Sequence, residues 1–227
     1  MGIIKTALLA IPAGGAVGGG YLAYLVATTS LIDLTKSDPM FGTKTYKKYN
    51  PKDNPALQDV VIKRIPLSAV KPELRNDEKA LTLEFCRGVW SGFNYWPQSK
   101  YQEFYDKPPG TENQLWHTSQ LKKATFEQGL KFSNHFEVVN NEGNEIVVRC
   151  GGSPLQPGLR NSDGLIFFSA KIDKEASQAE FKLKSALFNS VGTFEKDAGH
   201  PVPPKIEFLH RWYVRMLTSS GVGNVKA

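Results

Sequence analysis

Four histidines, His117, His135, His200 and His210, are the side chains of this chain best suited to moving a proton at physiological pH. No two of them have the HxH or HxxxH spacing that places two imidazoles on one metal, so no metal site is expected. The chain also lacks a GxSxG nucleophile elbow, a P-loop and a dinucleotide fingerprint, and no cofactor is expected. What remains is acid–base chemistry by side chains alone. His117 follows Trp116, and His135 stands between Asn134 and Phe136, each in a stretch that reads as a strand. His210 follows Leu209 on the apolar stripe of the last helix. These three are the candidate catalytic residues, since an imidazole in an apolar cavity can accept or return a proton. For each, the plain alternative is a structural or exposed histidine.

The ligand side of such a site has candidates too. Glu84 and Arg149 fall in stretches read as strands, where an inward charge would hold a ligand carbonyl and an outward one would face water. Trp90, Tyr95 and Trp96, with Phe93, form an aromatic cluster suited to the wall of a cavity for a flat apolar molecule, or simply to a core. Cys86 and Cys150 make no CxxC pair and read as small buried hydrophobes.

The elements that would position these residues follow from pattern. Leu81, Leu83 and Phe85 alternate with Thr82, Glu84 and Cys86, which predicts a strand. An aromatic stretch from Trp90 to Tyr105 follows, with Tyr101, Phe104 and Tyr105 on one face of a short helix, ended at Pro108 and Pro109. Strands are expected at 115–121, 130–139, 145–150, 165–172 and 181–188, with a turn at Asn140–Gly143. After Pro201, Pro203 and Pro204, residues Ile206, Leu209, Tyr213, Met216 and Leu217 recur at helical spacing, up to Gly221. Residues 33–79 carry Pro39, Pro51, Pro55, Pro66 and Pro72 and read as a proline-rich linker laid onto the domain, with Val60–Leu67 a possible edge strand.

The N-terminus differs in kind. No charged residue occurs between Thr6 and Ile32, a run of 27 residues, long enough for one transmembrane helix. The glycine run Gly14–Gly20 lies inside it, a membrane-helix feature rather than a phosphate cradle. A cleaved signal peptide is the rival reading. Lys36, Lys44, Lys47 and Lys48 follow the run and only Lys5 precedes it, which directs the bulk of the chain to the cytosolic side of an internal membrane. The expected organisation is therefore 1–32 membrane anchor, 33–79 linker and 80–227 domain. The net charge of +6 is spread along the chain without a reading motif, so nucleic acid is not an expected partner, and mild attraction to anionic lipid is.

Strand, short helical region, five antiparallel strands and one long C-terminal helix is the element order of the helix-grip fold. The stretch Gly129–Leu217, with "GLKFSNHFEVVNNEGNEIVVRC", "GLIFFSAKID", "EFKLKSALFNS" and "IEFLHRWYVRML", resembles the START and polyketide cyclase/dehydrase-like superfamily. The resemblance implies an α+β fold: a curved antiparallel sheet wrapped on the C-terminal helix, here preceded by one transmembrane helix. A lipocalin-like barrel is the rival architecture, and needs about eight strands. Both imply an apolar cavity. For the superfamily, the implied function is binding of a hydrophobic small molecule. The leading expectation is a membrane-tethered, cofactor-independent enzyme that cyclises, isomerises or dehydrates a polyketide- or terpenoid-like intermediate, with other enzymes of its pathway as candidate partners. A non-catalytic lipid carrier stays open.

Overall fold

The structure is a computed structural model that describes residues 15–194 and 202–227. Its centre is a seven-stranded, wholly antiparallel open sheet in the order β1-β2-β7-β6-β5-β4-β3. The strands are β1 (Ser30–Asp33), β2 (Ala56–Pro66), β3 (Lys131–Phe132), β4 (Phe136–Glu142), β5 (Glu145–Gly151), β6 (Asp163–Asp173) and β7 (Gln178–Phe188). The helices are α1 (Gly15–Thr28), α2 (Lys44–Tyr49), α3 (Glu78–Ser91), α4 (Trp96–Tyr105), α5 (Thr118–Leu121) and α6 (Pro204–Val225). From β2 onward the chain runs strand, helical region, five strands, long helix, which is compatible with a helix-grip fold. The sheet has two free edges, β1 and β3, so it is not a closed barrel.

The first strand of that order is not the one expected. Ala80–Cys86 satisfies both an alternating and a helical pattern, and it is helical. Asp77 caps α3 by accepting from the Ala80 amide at 2.9 Å, and Leu81, Phe85 and Val89, four apart, form its buried stripe. Glu84 is therefore a helix residue. The true first strand is β2, inside the expected linker, where Pro55 precedes the strand and Pro66 ends it. It pairs with β7 over its full length, from Ala56–Phe188 to Pro66–Gln178. Residues 33–79 thus contribute a central strand to the sheet. They also contribute its outer cover, since Leu34, Met40, Phe41 and Tyr46 pack on Val60, Val147, Leu165 and Phe167. The stretch expected as a strand at 115–121 is loop plus α5, and that expected at 130–139 is broken into β3 and β4 by a turn in which Ser133 and Asn134 have positive φ.

Helices α3 and α6 cover the inner face. They meet at glycines: a Cβ on Gly221 would lie 2.6 Å from the Phe85 ring and 2.7 Å from Val89, and one on Gly88 would lie 2.4 Å from Asn224 Cβ. This explains why Gly221, expected to stop the last helix, sits inside it. Gly221→Ala should force the helices apart and cost about 1–3 kcal/mol. Thermal unfolding checks this, and an unchanged Tm would contradict the close crossing.

No helix among the described residues is long and apolar enough to cross a membrane. The anchor expected over 1–32 falls partly on residues 1–14, outside the described residues. The rest is α1, which leans on the domain with Leu25 fully buried, and the start of β1, where Ser30–Ile32 pair with β2 as the edge of the sheet. Asn94 donates to Tyr21 Oη at 3.0 Å, Lys63 to Thr28 Oγ1 at 3.0 Å and Arg215 to the Thr29 carbonyl at 2.7 Å.

Candidate functional site

Between the inner face of the sheet and the N-terminal half of α6 lies an apolar cleft. Its enclosed volume is about 60 Å³, so it is a narrow slot rather than a chamber. Ile166 and Phe168 of β6, Leu183 and Leu187 of β7, and Leu209 and Val214 of α6 form its walls, with Trp90 of α3 and Phe136 of β4 among the other lining residues. Ile166 stands on the inner face in the middle of β6 and is still only half-buried, because the space beside it is open.

The polar groups of this wall come from a few positions. Asp59 on β2 and Ser185 on β7 are directly opposed in the register, and both are buried. The Ser185 hydroxyl donates to Asp59 Oδ1 at 2.6 Å and lies 3.0 Å from His210 Nε2, which is 3.3 Å from Asp59 Oδ2. With its proton committed to the carboxylate, Ser185 accepts from His210, so Nε2 carries hydrogen. In the neutral ring Nδ1 then holds the basic lone pair, and it has no hydrogen-bond partner among the described residues. This is not the arrangement of a serine nucleophile. Serine holds the ring nitrogen by a hydrogen bond, and the carboxylate faces it at ion-pair distance, its Oδ2 making no hydrogen bond among the described residues.

Burial works against the Asp59 carboxylate, but the facing His210 ring, the Ser185 hydroxyl and Arg211 outweigh it, so the carboxyl titrates below the ordinary aspartate range. Because the folded value lies below the unfolded one of about 3.9, the resulting stability is fully present above about pH 4 and is lost as pH falls through the folded value. Asp59→Asn should therefore flatten the acid limb. The Tm of the parent should fall more steeply below about pH 4 than that of the variant. Parallel slopes would refute the pairing.

The second polar feature is Gln98 of α4, which is buried. Its Oε1 accepts from the Tyr213 hydroxyl, and its Nε2 is buried with no hydrogen-bond partner among the described residues. An unmet buried donor costs about 1–3 kcal/mol, and an acceptor on a bound molecule would remove that cost. Tyr213 stands three residues beyond His210 on α6, one helical turn along, and Gln98 and His210 both line the cleft. Cys150 also lines the cleft. Burial, reinforced by the Asp163 carboxylate, pushes its thiol up to about 12, so it is no nucleophile.

Of the residues singled out from sequence, His210 and Trp90 come together here and the others do not. His117 caps α5 at the surface, its Nδ1 3.3 Å from Glu103. His135 sits in the β3–β4 turn with both nitrogens engaged, by the Gly151 carbonyl at 2.9 Å and Asp106 at 3.2 Å. Glu84 pairs with Arg87 at 2.6 Å and accepts from Asn224 at 3.0 Å, tying α3 to α6. Tyr95 is buried behind Trp90, its hydroxyl 2.8 Å from Ser133 Oγ, and burial pushes its phenol up. Trp96 faces outward, 47% exposed. Arg149 lies beneath the outer cover, with Nε 2.7 Å and Nη2 2.5 Å from the two oxygens of Asp163 and its guanidinium 4.2 Å from the Tyr49 ring centre. His200 lies outside the described residues.

The residues missed were Asp59, Ser185, Gln98 and Tyr213. Asp59 had a signal: a carboxylate in step with Leu57, Val61 and Ile65, on a strand face whose one other charged residue is Lys63. Compared with protein-family models, with curated proteins and with solved structures, the chain matches none. No group of three or more metal-ligating side chains occurs among the described residues.

Proposed function

We propose that this protein binds an apolar small molecule bearing a carbonyl or hydroxyl group in the cleft between sheet and α6, and moves a proton on it without a cofactor. The class of reaction is isomerisation, cyclisation or dehydration of a polyketide- or terpenoid-like intermediate. The observation that carries this reading is His210, held through Nε2 by Ser185 and faced by the Asp59 carboxylate in the wall of a mostly apolar cleft. In a ketone, Nδ1 would take the proton from the carbon next to the carbonyl while the Gln98 amide donates to the oxygen. The imidazolium would then return a proton to carbon or oxygen, and Asp59 stabilises the charged ring in between. The element order supports membership of the START and polyketide cyclase/dehydrase-like superfamily as part of the same proposal. The uncharged run that starts at Thr6 and reaches β1 at Ser30 supports a single-pass tether to an internal membrane with the domain in the cytosol.

The bicyclic ketone 2-tetralone is a suitable probe, being flat, apolar and acidic next to its carbonyl. In deuterium oxide, proton NMR should show saturable binding and protein-dependent exchange of its α-protons. Binding without exchange would instead support a carrier, a reading favoured by how few polar groups the cleft wall presents. No binding would overturn both.

A further inference from the structure

Helix α4 is built inside out. The residues it buries are polar, Gln98 at 1% exposure and Ser99 and Gln102 at 0%, whereas its outer side carries Trp96, Lys100 and Phe104 at four-residue spacing, with Tyr105 beside them. Phe104 is 80% exposed, and Phe93, just before the helix, is 76% exposed. An amphipathic helix on a water-facing surface has the opposite pattern. The inner glutamines explain half of this, since Gln98 meets Tyr213 and Gln102 meets Tyr95. Nothing among the described residues covers the outer aromatics.

We infer that the outer face of α4, together with Phe93, seats in the headgroup and acyl boundary of a lipid bilayer. Trp, Tyr and Phe interspersed with lysine is the chemistry of that boundary, where ring bodies are apolar and ammonium groups reach phosphate. Lys100 and Lys107 supply the cations, with Glu103, the ion-pair partner of Lys100, beside them. The segment just before α4 also touches the described part of the uncharged N-terminal run. Asn94, the residue after Phe93, donates to Tyr21 of α1, and α1 exposes Tyr24 and Val26 on its own surface. A bilayer holding that run would lie next to Phe93. Because Gln98 on the inner side of α4 lines the cleft, docking this helix sets the cleft beside the lipid, where apolar molecules are dissolved. The inference rests on the membrane part of the proposed function and not on its chemistry.

Site-directed spin labelling of the full chain tests it. Both native cysteines, Cys86 and Cys150, are buried, so a thiol-specific nitroxide should report on an introduced cysteine alone. Phe104→Cys is compared with Lys171→Cys on exposed β6, near the opposite end of α3, a helix about 20 Å long. With the protein in phosphatidylcholine–phosphatidylserine vesicles, the label at 104 should lose relaxation by a water-soluble nickel chelate and gain relaxation by oxygen, while the label at 171 keeps its response to nickel. Equal nickel access at the two positions overturns the inference. So does shielding of position 104 from both reagents without lipid, which would assign the face to a second copy or another protein. If 104 stays wet while 2-tetralone exchange persists, only the docking face is lost.

Discussion

His210→Gln is expected to slow deuterium exchange into 2-tetralone by about 10²–10⁴-fold while leaving the ketone bound, the range typical of losing one positioned general base. Glutamine keeps a side-chain amide that can donate to Asp59 and Ser185, so the buried carboxylate is not left without a partner. It has no basic lone pair to offer, so the proton-transfer step alone is removed. His117→Gln and His135→Gln should exchange at the parental rate, because one sits at the surface beside Glu103 and the other is held by Asp106 and Gly151. The comparison separates an imidazole acting as a base from a general effect of removing histidine. Equal slowing in all three variants would contradict the assignment.

Arg149→Met should be the most damaging single change to stability, costing about 3–5 kcal/mol by leaving a buried carboxylate without its cation. For a protein of this size that corresponds to a Tm lower by roughly 10 °C. The Asp163 side chain is fully buried, and after the substitution its hydrogen bonds would come only from the Ser190 hydroxyl, 2.7 Å away, and the neighbouring Gly164 amide at 3.1 Å, with the Arg160 charge acting from further off. The pair does structural work. Arg149 Nη2 also donates to the Gly158 carbonyl at 2.7 Å, joining the 152–162 loop to β5. Adding Asp163→Leu to Arg149→Met should recover much of the loss, since removing both charges is far cheaper than stranding one. Scanning calorimetry on the single and double variants decides it. A double variant no more stable than Arg149→Met would show that the cost lies in packing rather than in the stranded charge.

The order of strands and closing helix was legible because the β4–β5 and β6–β7 turns are short and polar and the last helix has a clean stripe. Its beginning was not. Leu81, Leu83 and Phe85 alternate, and that pattern conceals the stripe Leu81, Phe85 and Val89 that packs on α6. Asp77, the cap that decides between the two, lies before the apolar residues begin. Prolines 55 and 66 made this segment read as linker with an edge strand from Val60 to Leu67, when they mark the ends of a strand paired on both sides. Starting that strand at Val60 hid Asp59, and with it the partner that distinguishes His210 from the other histidines. Ser185 was visible on the apolar face of β7 but meant nothing without the strand opposite. Gln98 could not have been found by hydropathy at all. It belongs to a helix that buries its polar side, and pattern reading assigns the aromatic side to the core.

The central claim is that the cleft between the sheet and α6 is where an apolar molecule meets His210. Ile166→Trp tests it most directly. The half-buried Ile166 side chain borders open space, so an indole there should fill the cleft without displacing packed atoms. The account predicts that the parent protein exchanges the α-protons of 2-tetralone, and that Ile166→Trp, with its Tm preserved, neither binds the ketone nor exchanges it above the rate in buffer. Exchange by the folded variant at the parental rate would place the chemistry outside this cleft and contradict the account.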